Sequence, residues 1–213
     1  VSGPSRLVLL RHGRTEWNHV RRAQGHAPVP LDEVGHQQAK RAAVLLADLA
    51  PVRLWSSDLE RAAQTAGHVA EAVGLEVEWD ERLREFAVGE RQGLTFDEAL
   101  ERWPHLAGAE GFHETLRGIP GAESEHDVVR RVVPALQEAL DSLDPGETGV
   151  VVTHGAALKV GLCGLLGWPV EQATDLGVLD NCAWASVVRR DGARGVRLES
   201  YGRGDFASPE GIG

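Results

Sequence analysis

Short apolar runs alternate with stretches of helical periodicity through most of the chain. Leu7 to Leu10, Val52 to Trp55, Leu75 to Trp79 and Gly149 to Val152 are the runs. Between them, Ala39, Ala42, Ala43, Leu46 and Leu49 fall on one helical face, and Leu59, Ala62, Ala63, Ala66, Val69 and Val73 on another. Residues spaced three and four apart on a helix share a side, so these two faces are expected to be core. Strand-length runs separated by helices predict crossover units and a largely parallel sheet.

Boundary signals refine the elements. Ser57 followed by Glu60 has capping-box spacing, which predicts a helix start at Ser57 with Arg61 in its opening turn. Thr95 with Glu98 repeats the spacing ahead of a short helix ending near Trp103-Pro104. From there to Ala122 the chain is rich in Gly, His and Pro and weakly periodic, and about 94–123 reads as a cap or loop over the site, where substrate specificity is expected to be encoded. Ser124 opens a long helix whose Val129, Val132, Val133, Leu136, Leu140 and Leu143 share a face. Pro134 inside it is expected to bend it, because proline removes a backbone donor and crowds the preceding turn. Ala183 to Arg190 and Gly195 to Ser200 read as two closing strands joined by Asp191-Gly192, with a Gly-rich mobile tail over about 202–213. No repeat or linker divides the chain, so 1–213 reads as a single α/β domain.

Length and charge narrow the function classes. With 213 residues the chain can bury a substantial core in one domain. A formal net charge of -10 disfavours nonspecific binding to nucleic acid or to an anionic membrane, so an anionic substrate has to be attracted locally. Cys163 and Cys182 are the only cysteines, and Cys163 lies in the apolar stretch Val160 to Leu166. A disulfide framework is not expected, and a reducing, cytoplasmic setting follows. Neither a basic, then apolar leader nor a run of about 20 apolar residues is visible, so no secretion signal or membrane span is expected.

The chemistry sits where the runs stop. In an open sheet flanked by helices, ligands bind outside the carboxyl ends of the strands. His12, in Arg11-His12-Gly13, follows the first run, and His154, in Thr153-His154-Gly155, follows the fourth. Arg61 follows the second and Glu85 the third, so one edge receives two histidines, two arginines and a carboxylate. A phosphate monoester fits this set. Arg11 and Arg61 would supply guanidinium forks for its oxygens, with a helix amino terminus beside Arg61. His12 would attack phosphorus, Gly13 leaving room for close approach. Glu85 would protonate the leaving oxygen and then help deprotonate water, its neighbour Glu90 being a second carboxyl that the residues alone leave open. His154, in protonated form, would stabilise the equatorial oxygens.

Other features take ordinary readings. His19, His26, His36, His68, His105, His113 and His126 have no metal-ligand spacing, although His113 stands out for its place beside Phe112 in the cap. No metal and no cofactor is expected. The six tryptophans read as core and pocket wall rather than a nucleic-acid stacking platform. Arg203-Gly204-Asp205 spells an adhesion tripeptide, for which chance is the better account in a cytoplasmic chain.

Four ordered blocks resemble a known family: Arg11 to Asn18 (RHGRTEWN), Ser56 to Ala62 (SSDLERA), Leu83-Arg84-Glu85 with Gly89 and Gly93, and Thr153-His154-Gly155. Together they resemble the histidine phosphatase superfamily, also called phosphoglycerate mutase-like. The resemblance implies a three-layer α/β/α sandwich with a mixed, mainly parallel sheet, and no metal. It implies His12 as the phosphorylated histidine, Arg11, Arg61 and His154 as the phosphate pocket with Gly155 beside it, and Glu85 as proton donor. Asn18 and Gln24 match positions that contact the phosphoryl group. Cofactor-dependent mutases of the family resemble one another in a longer insertion after the glutamate, with tyrosine and an arginine pair. Here Tyr201 is the only tyrosine, and 94–123 holds only the separated Arg102 and Arg117. Pro120 to Ser124 resembles the Gly-Glu-Ser block of phosphatase members, with Ala122 where glycine is common. The expected activity is metal-independent hydrolysis of a small phosphate ester, a sugar or phosphoglycerate ester, through a phosphohistidine. The alternatives are a cofactor-dependent phosphoglycerate mutase and a non-catalytic phospho-ligand-binding protein. Nucleic acid and membrane are not expected partners, and a homodimer is compatible with the reading.

Overall fold

Successive residues of the first strand, β1 (Arg6–Arg11), enter two different cores. Leu7 and Leu9 join Val151, Ala185 and Val187 under Val132, Leu136, Leu140, Ala157, Leu158 and Leu162. Val8 and Leu10 join Leu54, Val150 and Val152 under Ala39, Ala42, Leu46, Ala62, Ala66 and Val69. Alternation of side chains across a strand thus supplies both faces of one sheet, and helices cover each face.

The computed structural model describes residues 3–109, 111–112, 114–189 and 195–204. Its strands are β1, β2 (Arg53–Ser56), β3 (Val77–Trp79), β4 (Thr148–Thr153), β5 (Trp184–Arg189) and β6 (Val196–Arg203), in the order β3-β2-β4-β1-β5-β6. The first four in that order run parallel, whereas β5 pairs antiparallel with both β1 and β6. The helices are α1 (Glu16–His19), α2 (Glu33–Ala47), α3 (Glu60–Val73), α4 (Phe96–Arg102), α5 (Glu125–Asp141) and α6 (Gly155–Leu166). α2 and α3 cover one face, α5 and α6 the other. The three-layer α/β/α architecture with a mixed, mainly parallel sheet is therefore observed. No helix among the described residues is long and apolar enough to cross a membrane.

Register delivers the site. β1 and β4 are neighbours with Arg11 opposite Thr153, so His12 and His154 leave the sheet side by side. β2 flanks β4 with Ser56 opposite Val152, which brings Ser57 and the start of α3 to the same edge.

Several boundaries differ from the sequence pattern. α3 starts at Glu60, with Leu59 as an N-cap that makes no side-chain bond. The Ser57 hydroxyl accepts from the Leu59 N–H at 3.3 Å, just ahead of the helix, and also bonds to His154 Nε2 at 2.8 Å, so it serves the site as well as the helix approach. Thr95 and Ser124 do cap their helices, Ser124 with Asp127 at the third position. The buried face of α5 holds Val132, Leu136 and Leu140 of the expected stripe and adds Val128, Ala135 and Ala139, while Val129 and Val133 are partly buried at its edge. The stretch from Pro104 to Ala122 is more ordered than weak periodicity suggests, for its Leu106 and Ile119 form a small core with Ala99 of α4. Of the tryptophans, Trp55 and Trp184 are buried whereas Trp79 and Trp168 are exposed, and none lines the pocket described below. β6 extends to Arg203, so Gly202 and Arg203 are strand residues rather than tail. The Asp191-Gly192 turn, His113, Asp205 and 206–213 lie outside the described residues.

Candidate active site

A cavity of about 320 Å³ opens at the carboxyl ends of β1 and β4. Arg11, His12, Asn18, Gln24, Arg61, Glu85 and Gly155 line it. Of the residues selected from sequence only His154 is absent from its walls.

The neighbours of His12 fix its tautomer. Nδ1 lies 2.7 Å from the Gly13 carbonyl, which can only accept, so Nδ1 carries the proton. Arg61 Nε, which can only donate, lies 3.3 Å from Nε2, so Nε2 carries the lone pair. Burial, reinforced by the charges of Arg61 and Arg11, holds the imidazole well below its ordinary 6.5. His12 is neutral at neutral pH, with the lone pair of Nε2 among cations.

Arg61 is itself buried, 1 % exposed, which pushes it down to about 10, and it stays charged at neutral pH. Its Nη atoms donate to the carbonyls of Gly25 (2.8 Å) and Ala27 (3.3 Å). Arg11 donates to the Leu179 carbonyl, while its buried Nε has no partner among the described residues. Gly155 lies beneath that guanidinium: a Cβ there would meet Arg11 Nε at 3.4 Å. Asn18 Oδ1 accepts from the Thr15 backbone and hydroxyl and from Asn181 Nδ2, so its amide nitrogen is the end suited to a phosphoryl oxygen. Gln24 is buried at the wall, its Oε1 without a partner among the described residues.

Glu85 is held by the start of α6. Its carboxylate accepts from the backbone N–H groups of Ala156 (3.1 Å), Ala157 (2.9 Å) and Phe86 (3.0 Å). Its own carbonyl accepts from His26 Nε2 at 2.7 Å and from Arg131 at 2.9 Å. Glu90, by contrast, is ion-paired with Arg102 away from the cavity.

Two sequence expectations need correction. His154 is not protonated: fully buried and next to Arg61 and His12, it is held well below 6.5, burial being the larger cause. Its ring flanks that of His12, centroids 5.2 Å apart, instead of facing the cavity. Gly13 makes room for the protein rather than for a ligand, since a Cβ there would lie 2.6 Å from the Gly35 carbonyl oxygen of α2.

Two buried neutral histidines tie stability to pH. In the unfolded chain both titrate near 6.5, and in the folded chain well below it. Between those values the unfolded state binds more protons, so stability rises with pH. The contribution is fully present above about 6.5 and is lost as pH falls below it, by up to about 1.4 kcal/mol per pH unit for each histidine. Melting curves from pH 5 to 8 should show the loss, and His12→Asn with His154→Asn should flatten it. A double variant with the parental slope would contradict the assignment.

The family model for the histidine phosphatase superfamily (branch 1) matches residues 7–201. The chain belongs to the histidine phosphatase superfamily. Glucosyl-3-phosphoglycerate phosphatase of Mycolicibacterium vanbaalenii is 37% identical over 201 residues, covering 90% of this chain and 88% of the relative. Phosphoglycerate mutase-like protein 4 of Arabidopsis thaliana is 41% identical over 156 residues, covering 72% of this chain and 67% of the relative. The solved structure of mycobacterial glucosyl-3-phosphoglycerate phosphatase with VO3 superposes with a TM-score of 0.81 at 35% identity, over 92% of this chain and 98% of that one. The chain is a phosphatase of this superfamily.

This histidine phosphatase fold also brings residues to the site that the motifs did not single out. Asn181 donates to the His12 carbonyl at 3.0 Å, and the Cys182 N–H, at a positive φ of 59°, bonds to the Arg11 and His12 carbonyls. Thr65 accepts from the Gly13 N–H at 3.0 Å. Arg22, Ala23, Gly25, Phe112, Ala156, Lys159, Val178 and Leu179 complete the walls. Position after a strand end could not find them, because helix α6, the 94–123 segment and the loop before β5 supply several.

Proposed function

We propose that this chain hydrolyses small phosphate monoesters in two displacements at His12, without a metal, and that phosphorylated acids of the glucosyl-3-phosphoglycerate kind are its substrates. The observation that carries the reading is the neutral His12 with its Nε2 lone pair beside Arg11 and Arg61. In the first displacement Nε2 attacks phosphorus, the ester P–O bond breaks, and the leaving oxygen takes a proton from Glu85. In the second, water attacks the phosphohistidine, gives its proton to Glu85, and the P–N bond breaks to free His12. Arg11 and Arg61 hold the phosphoryl oxygens as charge moves onto them.

The substrate choice rests on the named relatives and on Ser56 to Ala66, the short 94–123 segment and Asn181 to Trp184, which look most like glucosyl-3-phosphoglycerate phosphatase. The free, buried thiols of Cys163 and Cys182 support a cytoplasmic setting. Among the described residues no three His, Cys, Asp or Glu side chains are grouped to hold a metal ion.

Phosphate release from glucosyl-3-phosphoglycerate, 3-phosphoglycerate, α-ribazole phosphate and several sugar phosphates, with excess chelator present, tests the proposal. We expect turnover undiminished by chelator and highest for a phosphorylated acid. Turnover that needs added metal would overturn the mechanism, and preference for α-ribazole phosphate or for none would overturn the substrate assignment.

A further inference from the structure

Four cations line the cavity, and three are accounted for. Arg11 and Arg61 surround the nucleophile, and Arg22 is ion-paired with Glu98 at 2.6 Å while donating to the Gly93 carbonyl. The fourth is Lys159. It lies four residues beyond Gly155 on α6, on the same side of the helix and about 6 Å further along its axis. Its ammonium donates to the Leu176 carbonyl at 2.8 Å, and among the described residues no carboxylate stands within ion-pair distance of it. The charge is half-buried in a wall otherwise built there from Val178 and Leu179.

We propose that Lys159 binds a carboxylate of the substrate and thereby selects phosphorylated acids over neutral phosphate esters. An ammonium has three donors and the Leu176 carbonyl uses one, leaving two for a ligand. Burial lowers the Lys159 pKa, opposed only in smaller part by the Cys163 thiol, and with no protein carboxylate paired to it a substrate anion supplies the counter-charge. A lysine is a compact point charge suited to a monoanion, whereas the forked arginines below it suit the phosphoryl group. One helical turn between the two positions is about the span of the short carbon chain joining phosphate and carboxylate in a phosphoglycerate. The assignment rests on the phosphatase reading above and deepens it by naming the specificity residue.

The test compares 3-phosphoglycerate with glycerol 3-phosphate, in which a hydroxymethyl group replaces the carboxylate. kcat and KM are measured for the parent, Lys159→Met and Lys159→Arg, together with inhibition by each ester of p-nitrophenyl phosphate hydrolysis. Lys159→Met should lose at least about tenfold more kcat/KM on the acid than on the neutral ester, mainly through KM, as expected for removing one charge-assisted bond. Its inhibition constant for the acid should rise by a similar factor, and Lys159→Arg should keep the preference. Equal losses on both esters, or a parent that binds both equally, would overturn the role of Lys159 while leaving the phosphatase standing. A parent that hydrolyses none of the three esters would instead overturn the phosphatase reading, and this inference with it.

Discussion

His12→Ala should abolish turnover, by about 10⁴-fold or more, together with the acid-labile phosphoenzyme formed on mixing with substrate. The size follows from what the ring supplies. Nδ1 is committed to the Gly13 carbonyl and Nε2 is faced by Arg61, so the imidazole is both oriented and deprotonated before a substrate arrives. No other described side chain offers a nitrogen lone pair to the cavity: His154 stands behind the wall with Nε2 on Ser57, and Lys159 is a cation. The fold should survive, because the hydrophobic layers on both faces of the sheet do not include His12. Phosphate should still bind through Arg11 and Arg61, which separates loss of the nucleophile from loss of the site. Rapid-quench labelling and phosphate titration of the variant provide the measurement, and a variant with parental activity would remove His12 as nucleophile.

The strand ends were legible because a strand's apolar content is local, and the rule that ligands gather at carboxyl ends needs nothing else. His12, Arg61, Glu85 and Arg11 were found that way, and the family resemblance added Asn18 and Gln24. What stayed illegible depends on partners distant in the chain. Ser57 has the spacing of a cap, and its hydroxyl does accept from the nearby Leu59 N–H, yet it also serves His154, 97 residues away, a partner that no local rule contains. The charge of His154 was misjudged for a similar reason: a histidine beside arginines in water could be protonated, but one that is fully buried is held neutral by desolvation. Gly13 was assigned to the ligand because the approach of Gly35 on α2 is a tertiary contact. Lys159 could have been suspected from its place one turn beyond Gly155 on an otherwise apolar helix, where a charge is unusual.

Glu85→Gln should slow hydrolysis of alkyl and sugar phosphates by about 10²- to 10⁴-fold and that of p-nitrophenyl phosphate much less. A sugar alkoxide is a poor leaving group and needs a proton as the P–O bond breaks, whereas p-nitrophenolate leaves without one. Glu85 is the carboxyl placed to give it, because it lines the cavity with His12 while Glu90 is held on the surface by Arg102. The substitution also has a structural side. One carboxylate oxygen accepts from Phe86 and Ala157 and the other from Ala156, so a glutamine amide nitrogen must turn an N–H toward an N–H. That mismatch costs about 1–3 kcal/mol of local stability and lowers both rates together. The ratio between the two substrates therefore isolates the proton, since misplacing the first turn of α6 affects both esters alike. Equal slowing of the two would assign Glu85 to holding α6 rather than to proton transfer, and the acid would have to be sought elsewhere in the cavity.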